Sequence, residues 1–339
     1  MPELLIRPLD PADDADMDAF QDVYAAAELA EDPEVALYSR EDGVSLLAAN
    51  GTTSMFDAFG AFVDGRMVGE SILMGSVRDN LELARALIWV DPRHQRQGYG
   101  GHLVAHLEEH ARTRGRGVLE AQARVGGAHP GNEPFAERHG FTRVMTEIER
   151  RLPLPVDTAL LDRLAAESAV HHTDYEIRAD VGPVPAELRA SYVDLDNLLL
   201  VEMPHGDLER EVARNTVADL DAFERERLDA GRTAVWAFAL RDGVVVAFTD
   251  ASVQGGDARH VDQYGTLVHP DHRGHRLGMA VKCAQLRLLS DRFRDRSYVR
   301  TTNAETNAHM VDINAALGFD VHQIWGDFEK HLSPPDDQR

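Results

Sequence analysis

Cysteine is almost absent from the chain: the one cysteine in 339 residues is Cys283, which excludes a disulfide framework and a cysteine-built zinc site. Cys283 lies in an apolar, helix-like stretch and reads as a small buried hydrophobe rather than a nucleophile. Long apolar runs are missing too, and none approaches the roughly 18 residues of a membrane-spanning helix. The start, Met1 to Pro8, has no basic segment followed by an apolar one, so no secretory signal is expected and a reducing cytoplasm fits. Positive charge is scarce, with 35 Lys and Arg against 58 Asp and Glu and a net charge of −23. So acidic a chain argues against a nucleic-acid partner, since phosphate binding needs clustered Lys and Arg, and it would draw in a cationic substrate such as an amine. The 16 histidines show no paired ligand spacing, and His171-His172 reads as part of a solvated linker, so no metal is expected.

What the chain does have is internal repetition. The hairpin signal Asp64-Gly65 returns as Asp242-Gly243 between similar apolar runs. A strand ending Val90-Asp91-Pro92 returns as Val268-His269-Pro270, 178 positions later (268 − 90), and His94, Gly100 and Gly140-Phe141 return as His272, Gly278 and Gly318-Phe319 at the same offset. The chain reads as a duplication, with repeats over 1–155 and 175–332, a linker helix over 156–174 and a frayed tail over 333–339. Each repeat orders its elements as strand, helical region, hairpin, strand, glycine-bearing turn, helix, strand, helix, strand. Helices separated by strands imply an α/β layer structure on a mixed sheet.

The segment Leu87 to Gly101 carries the sharpest chemical signal. An apolar strand (Ile88, Trp89, Val90) exits at a proline into a turn of Gln95, Arg96, Gln97, Gly98, Tyr99, Gly100 and Gly101, followed by an amphipathic helix. Backbone N–H groups at such a turn converge on an anion, and the helix dipole favours negative charge there. That is the form of a pyrophosphate cradle. The dinucleotide fingerprint has a different glycine spacing, which disfavours NAD. In the second repeat the strand is Thr266, Leu267 and Val268, and the turn is Arg273, Gly274, His275, Arg276, Leu277, Gly278 and Met279.

At these residues the sequence resembles the GNAT superfamily of acyl-CoA-dependent N-acyltransferases, whose signature is Gln/Arg-x-x-Gly-x-Gly/Ala. Gln95 to Gly100 matches it in full, whereas the second repeat has Arg276 for the middle glycine. The resemblance implies two tandem GNAT domains, a layout similar to mycothiol synthase-type double-domain members of actinobacteria. The family's late motif, Asn-x-x-Ala-x-x-Leu-Tyr-x-x-x-Gly-Phe, supplies an Asn for the CoA arm and a Tyr that protonates the departing thiolate. Asn307 and Asn314 stand at those two places in the second repeat, His129 and Ala136 in the first. Neither repeat keeps the tyrosine. Asn303 and Asn307, at a strand exit, are expected to contact the CoA arm, although loop and N-cap roles are the ordinary use of Asn.

The resemblance implies an N-acetyltransferase, with acetyl-CoA as co-substrate and a small-molecule primary amine as acceptor. The amine attacks the thioester directly, and a carboxylate or water chain takes its proton. Candidates by position are Glu70 in the first repeat and Asp250 and Asp262 in the second; His260 and Tyr264 flank the same second-repeat strand. Met203-Pro-His-Gly-Asp207 reads equally as a loop over the acceptor cleft or a plain surface turn. The second repeat is the expected catalytic half. The alternative is a catalytically degenerate module that holds acyl-CoA or CoA, which the missing tyrosines favour. Aminoacyl transfer from tRNA conflicts with the acidity.

Overall fold

Both hairpin turns form as their residues require. Asp64 and Gly65 have φ of 50° and 77°, Asp242 and Gly243 of 53° and 79°, the doubly positive pattern whose twist matches that of the strands it joins. The computed structural model describes residues 3–35, 37–48, 54–203, 214–255 and 259–333. They fall into two compact units, Met1–Thr146 with Trp325–Arg339, and Glu147–Ile324.

Unit 1 runs β1 (Leu4–Pro8), α1 (Asp14–Glu31), α2 (Arg40–Ala48), β2 (Ser54–Val63), β3 (Arg66–Ser76), β4 (Leu83–Val90), α3 (Tyr99–Thr113), β5 (Val118–Arg124) and α4 (Asn132–Arg138). Helix α3 buries Leu103, Val104, Leu107 and Ala111 along one stripe, the i, i+4 spacing of an amphipathic helix. That stripe packs against Phe59, Leu73 and Leu119 on one side of the sheet, while Met17, Phe20 and Leu47 of α1 and α2 cover Ile72 and Met67 on the other.

The strand after α4, β6 (Thr142–Pro153), does not close this sheet. Its residues from Glu147 onward belong to unit 2. Unit 2 continues through α5 (Thr158–Ala169), β7 (Glu176–Val181), α6 (Arg189–Glu202), α7 (Val217–Asp229), β8 (Thr233–Arg241), β9 (Val244–Val253), β10 (His260–Val268), α8 (Leu277–Arg292), β11 (Tyr298–Ala304), α9 (Ala308–Leu317) and β12 (Asp320–His331). Trp325 to His331 of β12 then pair antiparallel with β5 in unit 1, and Glu147 to Pro153 of β6 pair with β11 in unit 2. The strand orders are β1-β2-β3-β4-β5-β12 and β7-β8-β9-β10-β11-β6. Among the pairings of the described residues, β4–β5 and β10–β11 are parallel.

The exchange is reciprocal to the residue. Trp325 faces Arg124 in one unit and Glu147 faces Ala304 in the other. Phe328 contributes to the core of unit 1, and Lys330 donates to Glu108 (2.6 Å) and to the His139 carbonyl (2.7 Å). At the matching place in unit 2, Leu152 packs beside Gly318 and Phe319. Sequence repeats and folded units thus differ by one traded strand. The helix expected over 156–174 is α5, and it is more than a connector: Leu161 and Leu164 enter the same core cluster as Leu286 and Leu289 of α8.

Candidate active site

Each unit carries the turn that the glycines announce. In unit 1, Arg96 and Gly98 have left-handed φ of 62° and 93°; in unit 2, Gly274 and Arg276 do, at 86° and 52°. The same two positions are left-handed in both turns, with glycine and arginine interchanged. Arg276 therefore preserves the backbone path, at a strain on the order of 1–2 kcal/mol for a residue with a Cβ. Neither following helix has a side-chain cap, so the N–H groups of its first turn (Tyr99, Gly100, Gly101; Leu277, Gly278, Met279) lack acceptors within the helix and are available to an anion. Gln95 and Arg273, at equivalent positions, each donate to the last carbonyl of the preceding strand, Val90 and Val268, at 3.2 Å. Gln97 reaches the Arg93 carbonyl and His275 contacts that of His171.

The second glycine of the signature also has a packing role beside the one its spacing suggests. A Cβ on Gly100 would lie 3.2 Å from Phe135 of α4, and one on Gly278 would lie 3.3 Å from Ile313 of α9. These glycines let two helices approach, whereas Gly98 and Gly274 have nothing within 4 Å of a Cβ. Gly100→Val is accordingly expected to destabilise unit 1 by about 1–3 kcal/mol through overpacking while the turn survives. Denaturant unfolding beside CoA calorimetry would separate the two effects; lost affinity at unchanged stability would restore Gly100 to the cradle.

In unit 1, β4 and β5 pair only over Leu83–Arg85 and then splay. Glu28 of α1 spans the opening: it accepts from Trp89 Nε1 of β4 at 2.8 Å and from Arg124 of β5 at 2.7 Å. Arg124 also pairs with Glu31 at 3.1 Å and lies over the Trp325 ring at 4.6 Å. Asn132 of α4 ties into the same group through Glu31 and the Arg124 carbonyl. Ile88 and Val90 pack on the core. Glu70 is fully buried on the α1 side of β3, and neither carboxyl oxygen has a polar partner among the described residues. Burial alone pushes its carboxyl well above the usual range, which favours the protonated form.

Unit 2 differs at the corresponding fork. Strands β10 and β11 pair over His260–Asp262 and open from Gln263. Just past the fork, Gln263 faces Ala251 and Thr266 faces Thr249, so Tyr264 and Gly265 together oppose Asp250. This is a β-bulge, a device that re-aims side chains. A side chain there would crowd its neighbours: a Cβ on Gly265 would stand 2.7 Å from Leu199, 2.9 Å from Phe248 and 3.2 Å from an Asp250 oxygen. Gln263 braces the bulge by donating to Thr249 Oγ1 and to the Asp250 carbonyl, both at 2.8 Å, and the hydroxyls of Thr249 and Thr266 bond at 2.7 Å. Leu267 is buried in the neighbouring core. No such irregularity interrupts β3–β4, whose register runs evenly from Gly69↔Val90 to Met74↔Arg85.

Asp250 is pushed up to about 7 by burial; the Arg227 charge acts against the rise and Asp196 adds to it. Tyr192, Asp196 and Leu199 follow one another at i, i+4 and i+7 on α6, the spacing of one helix face, and Leu199 approaches Gly265. Arg227 of α7 lies 4.8 Å over the half-exposed Tyr264 ring.

Asp262, read from sequence as a possible base, belongs to a clamp. Burial works to raise its pKa, but the His260 ring and the Arg300 guanidinium more than offset this and hold the carboxylate well below the usual range. It pairs with Arg300 across the last paired rung of the fork and accepts from Gln254. Asn307 takes the N-cap role, accepting from Met310 N at 3.3 Å. Asn314 is fully buried and donates to Asn303 Oδ1 at 2.8 Å, a pairing the sequence did not announce; its own Oδ1 has no partner among the described residues. An amide can donate a hydrogen bond to a thiolate but has no proton to give up as an acid. The Cys283 thiol is buried and pushed up to about 11, consistent with an inert core residue. Of the loop Met203–Asp207, residues 204–207 lie outside the described residues. Among the described residues no His, Cys, Asp and Glu group is arranged to hold a metal, and no helix is long and apolar enough to cross a membrane. Glu28, Arg124, Tyr192, Asp196 and Arg227 carried no motif by which sequence would have found them.

Residues 56–143 match the model of the acetyltransferase (GNAT) domain. This is a tandem GNAT fold. Over its whole length the chain is similar to the tandem GNAT protein from the clavulanic acid biosynthesis pathway, at 27% identity and a TM-score of 0.79, covering 98% of this chain and 100% of that one. A GCN5-related N-acetyltransferase from Sphaerobacter thermophilus follows at 16% identity and 0.67, over 98% and 96% of the two chains. An acetyltransferase described as putative from Pyrococcus horikoshii shares the fold at 12% identity and 0.57, over 97% and 90%. No curated protein matches the sequence. The GNAT fold is that of acyl-CoA-dependent N-acyltransferases, and both units carry its splayed strands and uncapped helix.

Proposed function

We propose that the chain transfers an acetyl group from acetyl-CoA to the primary amine of a small molecule, and that unit 2 performs the transfer. The observation that carries this reading is the bulge of β10 just past the fork, whose residues Tyr264 and Gly265 oppose Asp250, a carboxyl titrating near 7. A carboxylate poised near the working pH is suited to receive the proton of an attacking amine.

The residues divide the work as follows. The turn from Arg273 to Met279 offers unpartnered N–H groups and the Arg273 and Arg276 charges to the phosphates. The edge of β10 from Gln263 to Val268, no longer paired with β11, presents backbone N–H groups to the thioester carbonyl, where they stabilise developing negative charge. Asp250 takes the amine proton as the nitrogen attacks. The linked Asn303 and Asn314 lie beyond the fork on the other side and supply hydrogen bonds toward the leaving sulfur. The thioester provides an activated acyl group; the chain's own groups orient it, hold charge and move one proton.

A second reading applies to unit 1 alone: a CoA-binding module without chemistry. Glu28, bonded to both Trp89 and Arg124, crosses the gap between β4 and β5. The turn from Gln95 to Gly101 keeps its form for a phosphate ligand, and Ala136 offers no donor to a sulfur.

A matched pair of variants tests the assignment. Gly98 and Gly274 are both turn glycines with positive φ and open surroundings. In a thiol-release assay with acetyl-CoA and an amine panel, Gly274→Val is expected to cut turnover at least about tenfold, or about 1.4 kcal/mol, and Gly98→Val to retain most of it. The reverse ranking in folded proteins would move the chemistry to unit 1.

A further inference from the structure

The surroundings of Asp250 hold one group that an amine acceptor does not need. Arg227 stands on α7 with its guanidinium over two aromatic rings, Phe223 at 4.1 Å and Tyr264 at 4.8 Å. The guanidinium makes no hydrogen bond or ion pair with any described residue. Its acidic neighbours on the same helix, Asp221 and Glu224, are both engaged by Arg189. Asp196 is bonded instead to Asn215, at 3.3 Å. A guanidinium that is stacked, charged and unclaimed keeps its fork of N–H donors for a planar anion.

The position of this cation is selective. Tyr264 is one of the two bulge residues opposite Asp250, so Arg227 rests on the same strand feature that places the carboxylate. Two carboxylates, Asp196 and Asp250, and one guanidinium are therefore gathered where α6, α7 and the bulge meet. A purely cationic amine would be drawn by the acids and repelled by Arg227. A molecule carrying both charges meets an opposite charge at each end.

We propose that the acceptor of unit 2 is a small zwitterion, an amine bearing its own carboxylate, with the ammonium end at Asp250 and Asp196 and the carboxylate on Arg227. The proposal rests on the reading of unit 2 as the acyltransferase unit. It assigns Arg227 and Asp196 to acceptor selection and leaves the proton transfer to Asp250.

The test uses the full chain, acetyl-CoA, and a panel of amino acids, each beside its carboxamide and its decarboxylated amine, with thiol release as readout. The expected result is a kcat/KM at least about tenfold higher for an acid than for its amide or amine. Arg227→Gln should erase that preference by raising KM for the acid and lowering KM for the amine, and should move the pH midpoint of kcat upward, since the Arg227 charge holds the Asp250 carboxyl down; Arg227→Lys should restore part of the preference. Equal or faster turnover of the amides and amines overturns the zwitterion while leaving the acyltransferase reading intact. Thiol release with no member of the panel overturns both. A preference for acids that survives Arg227→Gln in a protein of unchanged far-ultraviolet dichroism removes Arg227 from the site.

Discussion

Asp250→Asn should reduce kcat by about 10²–10⁴-fold, the range that a positioned general base contributes, without changing the fold. The substitution keeps the shape and removes only the proton acceptor. The pH dependence provides the sharper signature. Burial lifts the Asp250 carboxyl to about 7, so the carboxyl is protonated and idle below that value and becomes the active base above it. For the native chain kcat/KM should climb as pH rises through about 7 and then level off, until another group titrates. The Asn variant should lack that step. A native profile that is flat between pH 5 and 9, or an Asn variant that keeps the step, would take the role away from Asp250.

Asp262→Asn should be the most destabilising single change at the fork. Asp262 is buried and its charge is matched by Arg300 on the neighbouring strand. Removing one partner leaves the other charged and poorly solvated, at a cost of about 3–5 kcal/mol. The loss should appear in urea unfolding and be partly recovered when Arg300 is also replaced by Met. The linkage has a definite sign. The folded carboxyl titrates below its unfolded value of about 3.9, so its stabilisation is present above roughly pH 4 and is lost as the pH falls through the depressed folded value. A variant within about 1 kcal/mol of the native chain would mean that the clamp is solvent-screened and does not hold the fork.

Local chemistry was legible in the sequence, and partnership between distant segments was not. Asp64-Gly65 and Asp242-Gly243 announced their turns because doubly positive φ selects those residues. The strand-turn-helix around Gly98 could be placed because a glycine turn between an apolar strand and an amphipathic helix has few other uses. The traded strands could not be seen: β6 and β12 have the same pattern whichever sheet they join, and alternation tells which face is buried without naming the neighbour. Gly265 gave a faint signal, a glycine inside a strand, but the two-for-one opposition to Asp250 depends on the register of β9. Arg227 and Asp196 sit on helices whose remaining polar residues are equally charged, so no spacing distinguished them. The Asp262–Arg300 pair could not be read either, because a carboxylate near a strand end looks the same whether it faces a substrate or an arginine.

The traded strands also set a timetable for synthesis. Unit 1 is begun first, yet its sheet lacks its last member until Trp325 to His331 leave the ribosome. Arg124 must wait for Trp325, some 201 positions on (325 − 124), rather than for Glu147, 23 positions on (147 − 124). That is about three doublings of loop length and about 2 kcal/mol of additional closure entropy. During that interval the exposed edge of β5 is open to strands of other nascent chains, a hazard that the finished sheet does not carry at this edge.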